Sequence, residues 1–406
     1  MKFYHLADLH IGKSIYGTSM IDDQKDWMSK FLQLCLQEQP DAVVIAGDVY
    51  DRSSPSGDAV EVLDRFLTSL AAMNIAVLLI AGNHDSGQRL SFASSLLSRQ
   101  NIHIAGTLKK EMEHVTLYDE FGPVTFWLMP YTYPEQINQL MDTDLRTYDE
   151  AVRSYLSAQN IDQTQRNVIV SHQNVVVQGK EIERGGSESM VGGVGQIDFS
   201  AYDSFDYAAL GHIHSSYQVG RKEVRYAGTP LCYHMAETRQ KEKGPVEVVL
   251  KEKGILEFKT VFIEPLHRMR YFSDTKENII ETLRFDSGHD EYIGITITDA
   301  RIEPELAAYL RQMLELRGSI LMELMSSYSA YAGSVNSLDT EAGSQKSVEE
   351  LFASFYEEMT GGCSLNEHEE EILKMIGELV RNQEFDDEKG IQKIVDAANK
   401  QRGDHS

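Results

Sequence analysis

The chain has 406 residues, 42% of them apolar and 25% charged, with a formal net charge of −25. That length exceeds one ordinary core, so two or three folding units are expected, and no apolar run approaches the length of a bilayer crossing. The acidic excess argues against a protein that holds nucleic acid through overall basicity, although local patches and bound cations reverse the field at single sites.

The opening stretch MKFYHLADLH reads as a strand running into polar residues, without the basic start, apolar middle and small-residue cleavage site of a secretory leader. Three widely spaced cysteines, Cys35, Cys232 and Cys363, suit a reducing compartment better than a disulfide framework. A cytoplasmic protein is expected.

From residue 1 to 265, β-rich runs alternate with helical stretches: Ala42 to Ala46, Val77 to Ala81, Val124 to Leu128, Val168 to Val170 and Tyr207 to Leu210. Between them Trp27, Phe31, Leu34 and Cys35 fall at helical spacing, as do Val60, Leu63, Leu67 and Leu70. The pattern predicts an α/β domain whose helices cover its sheets. It restarts over 268–327, with a helix near Lys276 to Arg284, alternation in Glu291 to Thr298, a helix from Pro304 to Arg317 ended by Gly318, and the run Ile320 to Met325. A small separate α+β domain is expected there.

Residues 328–346 are rich in Ser, Gly and Ala, the composition of a flexible linker. In 347–406, Ser347 with Glu350 and Ser364 with Glu367 have capping-box spacing ahead of two amphipathic runs. A helix pair this small needs a partner for its apolar stripes, either another chain or the body of its own.

Five polar clusters each follow an apolar β-type run: Asp8 with His10; Asp48; Asn83 with His84 and Asp85; His172; and His212 with His214. In layered α/β proteins the carboxyl ends of strands open onto one crevice, so such clusters can converge. Imidazoles and carboxylates without a clustered thiolate suit divalent manganese, iron or zinc. On extended segments, residues two apart point the same way, so Asp8 and His10, like His212 and His214, are expected to face one centre as pairs. Gly47, Gly82 and Gly211 directly precede ligand candidates, where a missing side chain allows close backbone approach.

Taken in order, DLH, GDVYD, GNHD, SH and GHIH resemble the five blocks of the calcineurin-like metallophosphoesterases, over residues 1 to about 230. The wider strings GDVYDRSSPS, GNHDSGQRLSFAS and YAGTP resemble a nuclease branch of that family that works with a coiled-coil ATPase. The resemblance implies two packed mixed β-sheets flanked by helices (α/β/β/α), followed by a capping domain over the DNA and a C-terminal segment docking on the ATPase. It implies one ion on Asp8, His10, Asp48 and His214 and another on Asp48, Asn83, His172 and His212, with manganese first among Mn, Mg, Fe and Zn.

His84 is left to contact the phosphate and the departing 3′ oxygen, with Asp85 expected to orient its ring. Arg52 and Arg89 are candidates for gripping phosphate. The implied activity is double-strand 3′–5′ exonuclease and single-strand endonuclease cleavage, hairpins included, in DNA repair, recombination and replication. A homodimer through helices near Gln88 to Arg99 and Tyr133 to Leu140 is also implied, as is association with the nucleoid. The glycine-rich stretch Arg184 to Gln196 is a candidate flap. The same metal blocks also serve phosphatases acting on phosphoproteins and cyclic-nucleotide phosphodiesterases, and a metal-bearing scaffold without turnover is a third alternative.

Overall fold

The strand Ala42–Ala46, with sequence AVVIA, and the strand Ala76–Ile80, with sequence AVLLI, are buried at every residue. Continuous apolar runs of this kind belong to parallel strands covered on both faces. In the computed structural model, which describes residues 1–177, 195–240, 243–328 and 373–374, they lie at the centre of a six-stranded sheet. Its order is Leu256–Thr260, Val246–Leu250, Lys2–Leu6, Ala42–Ala46, Ala76–Ile80, Ile102–Ala105. The last four strands are mutually parallel and the first two antiparallel, so the sheet is mixed.

A second six-stranded sheet runs Tyr217–Val219, Arg221–Tyr226, Tyr207–Gly211, Arg166–His172, Gly122–Met129, Glu113–Asp119. The period of two along the strands sorts their side chains into layers. Phe3, Val44, Leu78 and Ile80 of the first sheet meet Phe126, Val168, Val170 and Tyr207 of the second. The opposite face of the first sheet, with Tyr4, Val43 and Leu79, packs under Trp27, Phe31 and Phe66, from the helices Ile21–Glu38 and Gly57–Ala72. The outer face of the second, with Trp127, Ile169 and Leu210, packs under Ile137, Val152 and Tyr155, from Pro134–Met141 and Tyr148–Ser157. The result is the expected helix, sheet, sheet, helix sandwich.

The region after residue 268 departs from the expected α+β form. Its strands Met269–Asp274, Tyr292–Ile297 and Ile320–Ser326 are all parallel and are joined by the helices Lys276–Phe285 and Pro304–Glu315. Parallel neighbours need crossover connections, and the two helices supply them, burying Leu283, Leu310 and Leu314 on Ile293 and Ile295. The helix expected across Gln88 to Arg99 is broken into Gly87–Leu90 and Ser94–Leu97 by Ala93 at φ +59°. The expected linker at 328–346 and helix pair in 347–406 lie outside the described residues, apart from Tyr328, Leu373 and Lys374, and so does most of the 184–196 stretch.

The βαβαβ module is tied to the sandwich through one buried carboxylate. Asp23, 1% exposed, accepts from His267 N (3.1 Å), His267 Nδ1 (3.0 Å) and the Tyr292 hydroxyl (2.8 Å). Asp23→Ala leaves that hydroxyl, on a side chain only 3% exposed, without its acceptor. Urea unfolding of this variant should show a loss of about 2 kcal/mol; an unchanged midpoint would mean that the module is anchored by other contacts.

Candidate metal centre

Five parallel strands, three from one sheet and two from the other, end at the same edge of the sandwich. Asp8 and Asp48 stand two residues beyond Leu6 and Ala46, Asn83 three beyond Ile80, His172 at the last position of its strand, and His212 directly after Gly211. The loops continue the strand pairing past the sheet: His10 N donates to Asp48 O and Ile11 N to Val49 O, both at 2.9 Å. Two carboxylates then lace further tips together. Asp48 Oδ1 accepts from His84 N at 2.9 Å, and Asp8 Oδ1 accepts from His212 N, across the two sheets, at 3.0 Å.

The pairing of Asp8 with His10 does not arise from an extended segment, as the sequence predicts. Both have left-handed backbones, φ +52° and +44°, as does Asp48 at +48°, and His212 has φ +102°. Such conformations cost roughly 1–3 kcal/mol each in non-glycine residues and persist only where the surroundings over-determine them. Here the lacing of strand tips does so. Gly47, at φ +85°, and Gly82 complete the fit, because a Cβ on Gly47 would run into His172 Nδ1 and one on Gly82 into Asp48 Oδ1.

All seven ligand candidates come together. Asp48 Oδ2 stands 3.8 Å from His10 Nε2 on one side and 3.4 Å from His172 Nε2 on the other. His10 Nε2 faces His214 Nε2 at 3.2 Å, and Asn83 Oδ1 lies 3.1 Å from both His172 Nε2 and His212 Nδ1. Ligand atoms of Asp8, His10 and His214 lie within 4.8 Å of one another, as do those of Asp8, Asp48 and His172. His84 joins His10 and Asp48 in a third group at the same separation.

The donor set fits divalent cations. His172 Nδ1 donates to the Ala46 carbonyl at 2.8 Å, which makes Nε2, turned toward Asp48, the ring nitrogen left for a metal. His214 Nδ1 is held in the same way by Glu237 Oε1 at 3.0 Å. Buried His10 Nδ1 has no hydrogen-bond partner among the described residues, Asp51 being 3.8 Å away. Burial pushes Asp8 up to about 7 despite the pull of His172 and His214. Burial also presses on Asp48, but His172 and His10 outweigh it and hold that carboxyl well below the usual range. His172 is raised to about 9, the charge of Asp48 overcoming burial, while burial and His172 lower His212 to about 3. Groups this desolvated need a counter-charge among them, which a cation supplies.

Three supporting residues lie outside the set of ligand candidates. Glu237, in the short 3₁₀ turn Met235–Arg239, lies 23 positions from His214 and carries no motif, yet it binds Lys243 Nζ at 2.9 Å as well as the His214 ring. Lys243 and His214 outweigh burial and keep its carboxyl ionised, well below the usual range. Asp51, inside the GDVYD block, holds His84: the ring Nδ1 donates to the Asp51 carbonyl at 3.0 Å, and the Asp51 carboxylate pairs with Lys13 at 2.7 Å. Tyr131, beyond the strand Gly122–Met129, has its ring centroid 6.1 Å from those of His172 and His212.

Asp85 therefore does not orient the His84 ring as expected. Its oxygens accept from Val49 N (3.0 Å), Tyr50 N (2.9 Å) and Gly82 N (2.9 Å), which fastens the loop carrying Asn83 and His84 to the loop after Asp48. Arg52 is 81% exposed and 3.7 Å from Asp51, and Arg89 donates to the Ser53 carbonyl at 3.1 Å. In Glu237→Gln the charge that fixes the His214 ring is lost, so divalent-cation affinity measured by calorimetry should fall about 10–100-fold. Unchanged affinity would mean that Glu237 serves packing alone.

The profile of calcineurin-like phosphoesterases matches residues 1–216, and that of the type 5 capsule protein repressor C-terminal domain matches residues 264–360. A Staphylococcus epidermidis protein, named as the SbcD component of nuclease SbcCD, is 28% identical over 309 residues, 74% of this chain and 79% of its own. Its namesake from Staphylococcus saprophyticus subsp. saprophyticus is 27% identical over 397 residues, 94% of this chain and 99% of its own. A dimetal phosphatase from Danio rerio aligns with 66% of this chain and 98% of its own at 13% identity, with a TM-score of 0.38. With more than half its length matched by the phosphoesterase profile and its metal-ligating residue types gathered at one edge of the sandwich, the chain belongs to the calcineurin-like phosphoesterase family.

Proposed function

We propose that the chain is a metal-dependent DNA nuclease of the SbcD type, hydrolysing phosphodiester bonds at the strand-tip cluster. The observation that carries this reading is the convergence, from both sheets, of imidazole, amide and carboxylate donors on Asp48. The nuclease name borne by the two staphylococcal relatives supports the choice of DNA over a phosphoprotein or cyclic nucleotide.

In this reading Asp8, His10, Asp48 and His214 hold one ion, and Asp48, Asn83, His172 and His212 hold the other. Two such ions, manganese foremost, supply Lewis-acid polarisation of the phosphate and a nucleophile active at neutral pH. The exposed His84 donates a hydrogen bond from Nδ1 to the Asp51 carbonyl, so its Nε2 is available to the substrate. Protonated there, it stabilises the phosphate and hands its proton to the departing 3′ oxygen. Asp85 contributes by bracing the loop, and Arg52 and Arg89 lie at the rim for phosphate contact.

The activity we assign is 3′–5′ exonuclease on duplex ends and endonuclease on single strands and hairpins, in repair, recombination and replication. The parallel module within 268–327 caps the DNA. The segment 347–406, reached through the linker 328–346, docks on an SbcC-like coiled-coil ATPase, consistent with the relatives' being named as parts of a larger nuclease. Phe92 and Leu96, 83% and 64% exposed, suit a homodimer contact. No helix among the described residues is long and apolar enough to cross a membrane, and we place the protein in the cytoplasm, at the nucleoid when bound to DNA.

Labelled hairpin DNA, a small phosphodiester and a phosphomonoester, each incubated with manganese, test the assignment. The hairpin should be cut, and His84→Asn should slow cutting by about 10²–10⁴-fold while calorimetric metal binding persists. Attack confined to the monoester would transfer the chain to the phosphatases, and loss of metal binding in His84→Asn would refute the proton-donor role.

A further inference from the structure

Asn83 and Tyr131 belong to two places at once. They touch the metal cluster, and with Gly82 they form part of the wall of a cavity of about 370 Å³. That volume lies within the roughly 300–1,000 Å³ of ordinary ligand sites. Its chemistry differs sharply from that of the cluster. Among the described residues no lysine or arginine lines it, and the one carboxylate they bring, Asp85, is already occupied by three backbone N–H groups, so this wall is not built for a phosphate.

Neutral hydrogen-bonding groups and aromatic rings line it instead. Gln88, Gln136 and Gln139 carry amides into the wall. Gln136 Oε1 is engaged by Thr132 Oγ1 (2.9 Å) and Tyr133 N (3.1 Å), while its Nε2 has no acceptor among the described residues. Tyr133, 47% exposed at the rim, stands at 90° to Tyr131 with ring centroids 5.0 Å apart. Amide edges beside an exposed aromatic face are the means by which proteins hold a splayed-out base, since every base has a π face and a donor–acceptor edge.

We propose that this cavity receives the unpaired base of the nucleotide whose phosphate lies at the metal cluster. The inference rests on the nuclease reading and extends it: cleavage then requires the base at the cut to leave its stack, which favours frayed ends, loops and hairpin tips over intact duplex. Tyr133 is the stacking residue, and Gln136 the donor to the base edge.

The test compares wild type and Tyr133→Ala on two single-stranded DNAs that differ only in an abasic site at the nucleotide bearing the cut phosphate. Wild type should cut the intact DNA with about tenfold higher kcat/KM than the abasic one, and Tyr133→Ala should lose that preference by slowing on the intact DNA alone. A wild type indifferent to the missing base would overturn the proposal without any appeal to the variant. Equal slowing on both DNAs would overturn it by assigning Tyr133 a structural role. Cleavage of neither DNA by wild type would instead overturn the nuclease reading, and the proposal with it.

Discussion

Asp48 is held in a left-handed backbone at the end of a fully buried central strand, with its carboxylate between His10 and His172 and one oxygen spent on the amide of His84. The rest of the site depends on this arrangement. A carboxylate so placed joins three strand tips of the first sheet to one of the second. Asp8 closes the circuit by accepting from His212 N. The parallel core is what makes this possible, because parallel strands deliver all their carboxyl ends to one edge.

The same arrangement reconciles an acidic chain with an anionic substrate. Asp8 and Asp48 bring the only carboxylates among the seven ligand candidates, and the remaining donors are imidazoles and one amide. Buried ionised carboxylates are costly unless paired with a cation, so a divalent ion would be stabilised in the cluster and would turn the local field positive. The formal charge of −25 lies on the chain as a whole and does not describe this edge. Around the cluster, protein acceptors fix the imidazoles: the Ala46 carbonyl for His172, Glu237 for His214 and the Asp51 carbonyl for His84.

Much of this is legible in the residues. Apolar runs such as AVVIA and AVLLI locate the buried strands, and the polar residues beyond them mark the edge where ligands gather. The backbone route is not legible, since nothing in DLH reveals that Asp8 and His10 adopt positive φ through pairing with the Gly47–Val49 loop. Nor is Glu237, whose role depends on a turn that returns to His214 from 23 residues away. Adjacency in sequence makes Asp85 look like the partner of the neighbouring ring. Three backbone amides claim it instead, a tertiary competition that spacing does not encode. The parallel pairing of the last module is hidden for a similar reason, because alternation along a strand does not state the direction of its neighbour.

Diffraction from manganese-soaked crystals at the metal absorption edge addresses the central arrangement directly. The account predicts two anomalous peaks about 3.5–4 Å apart, with the Asp48 carboxylate touching both. A single peak, or a pair that leaves Asp48 outside its coordination, would contradict it.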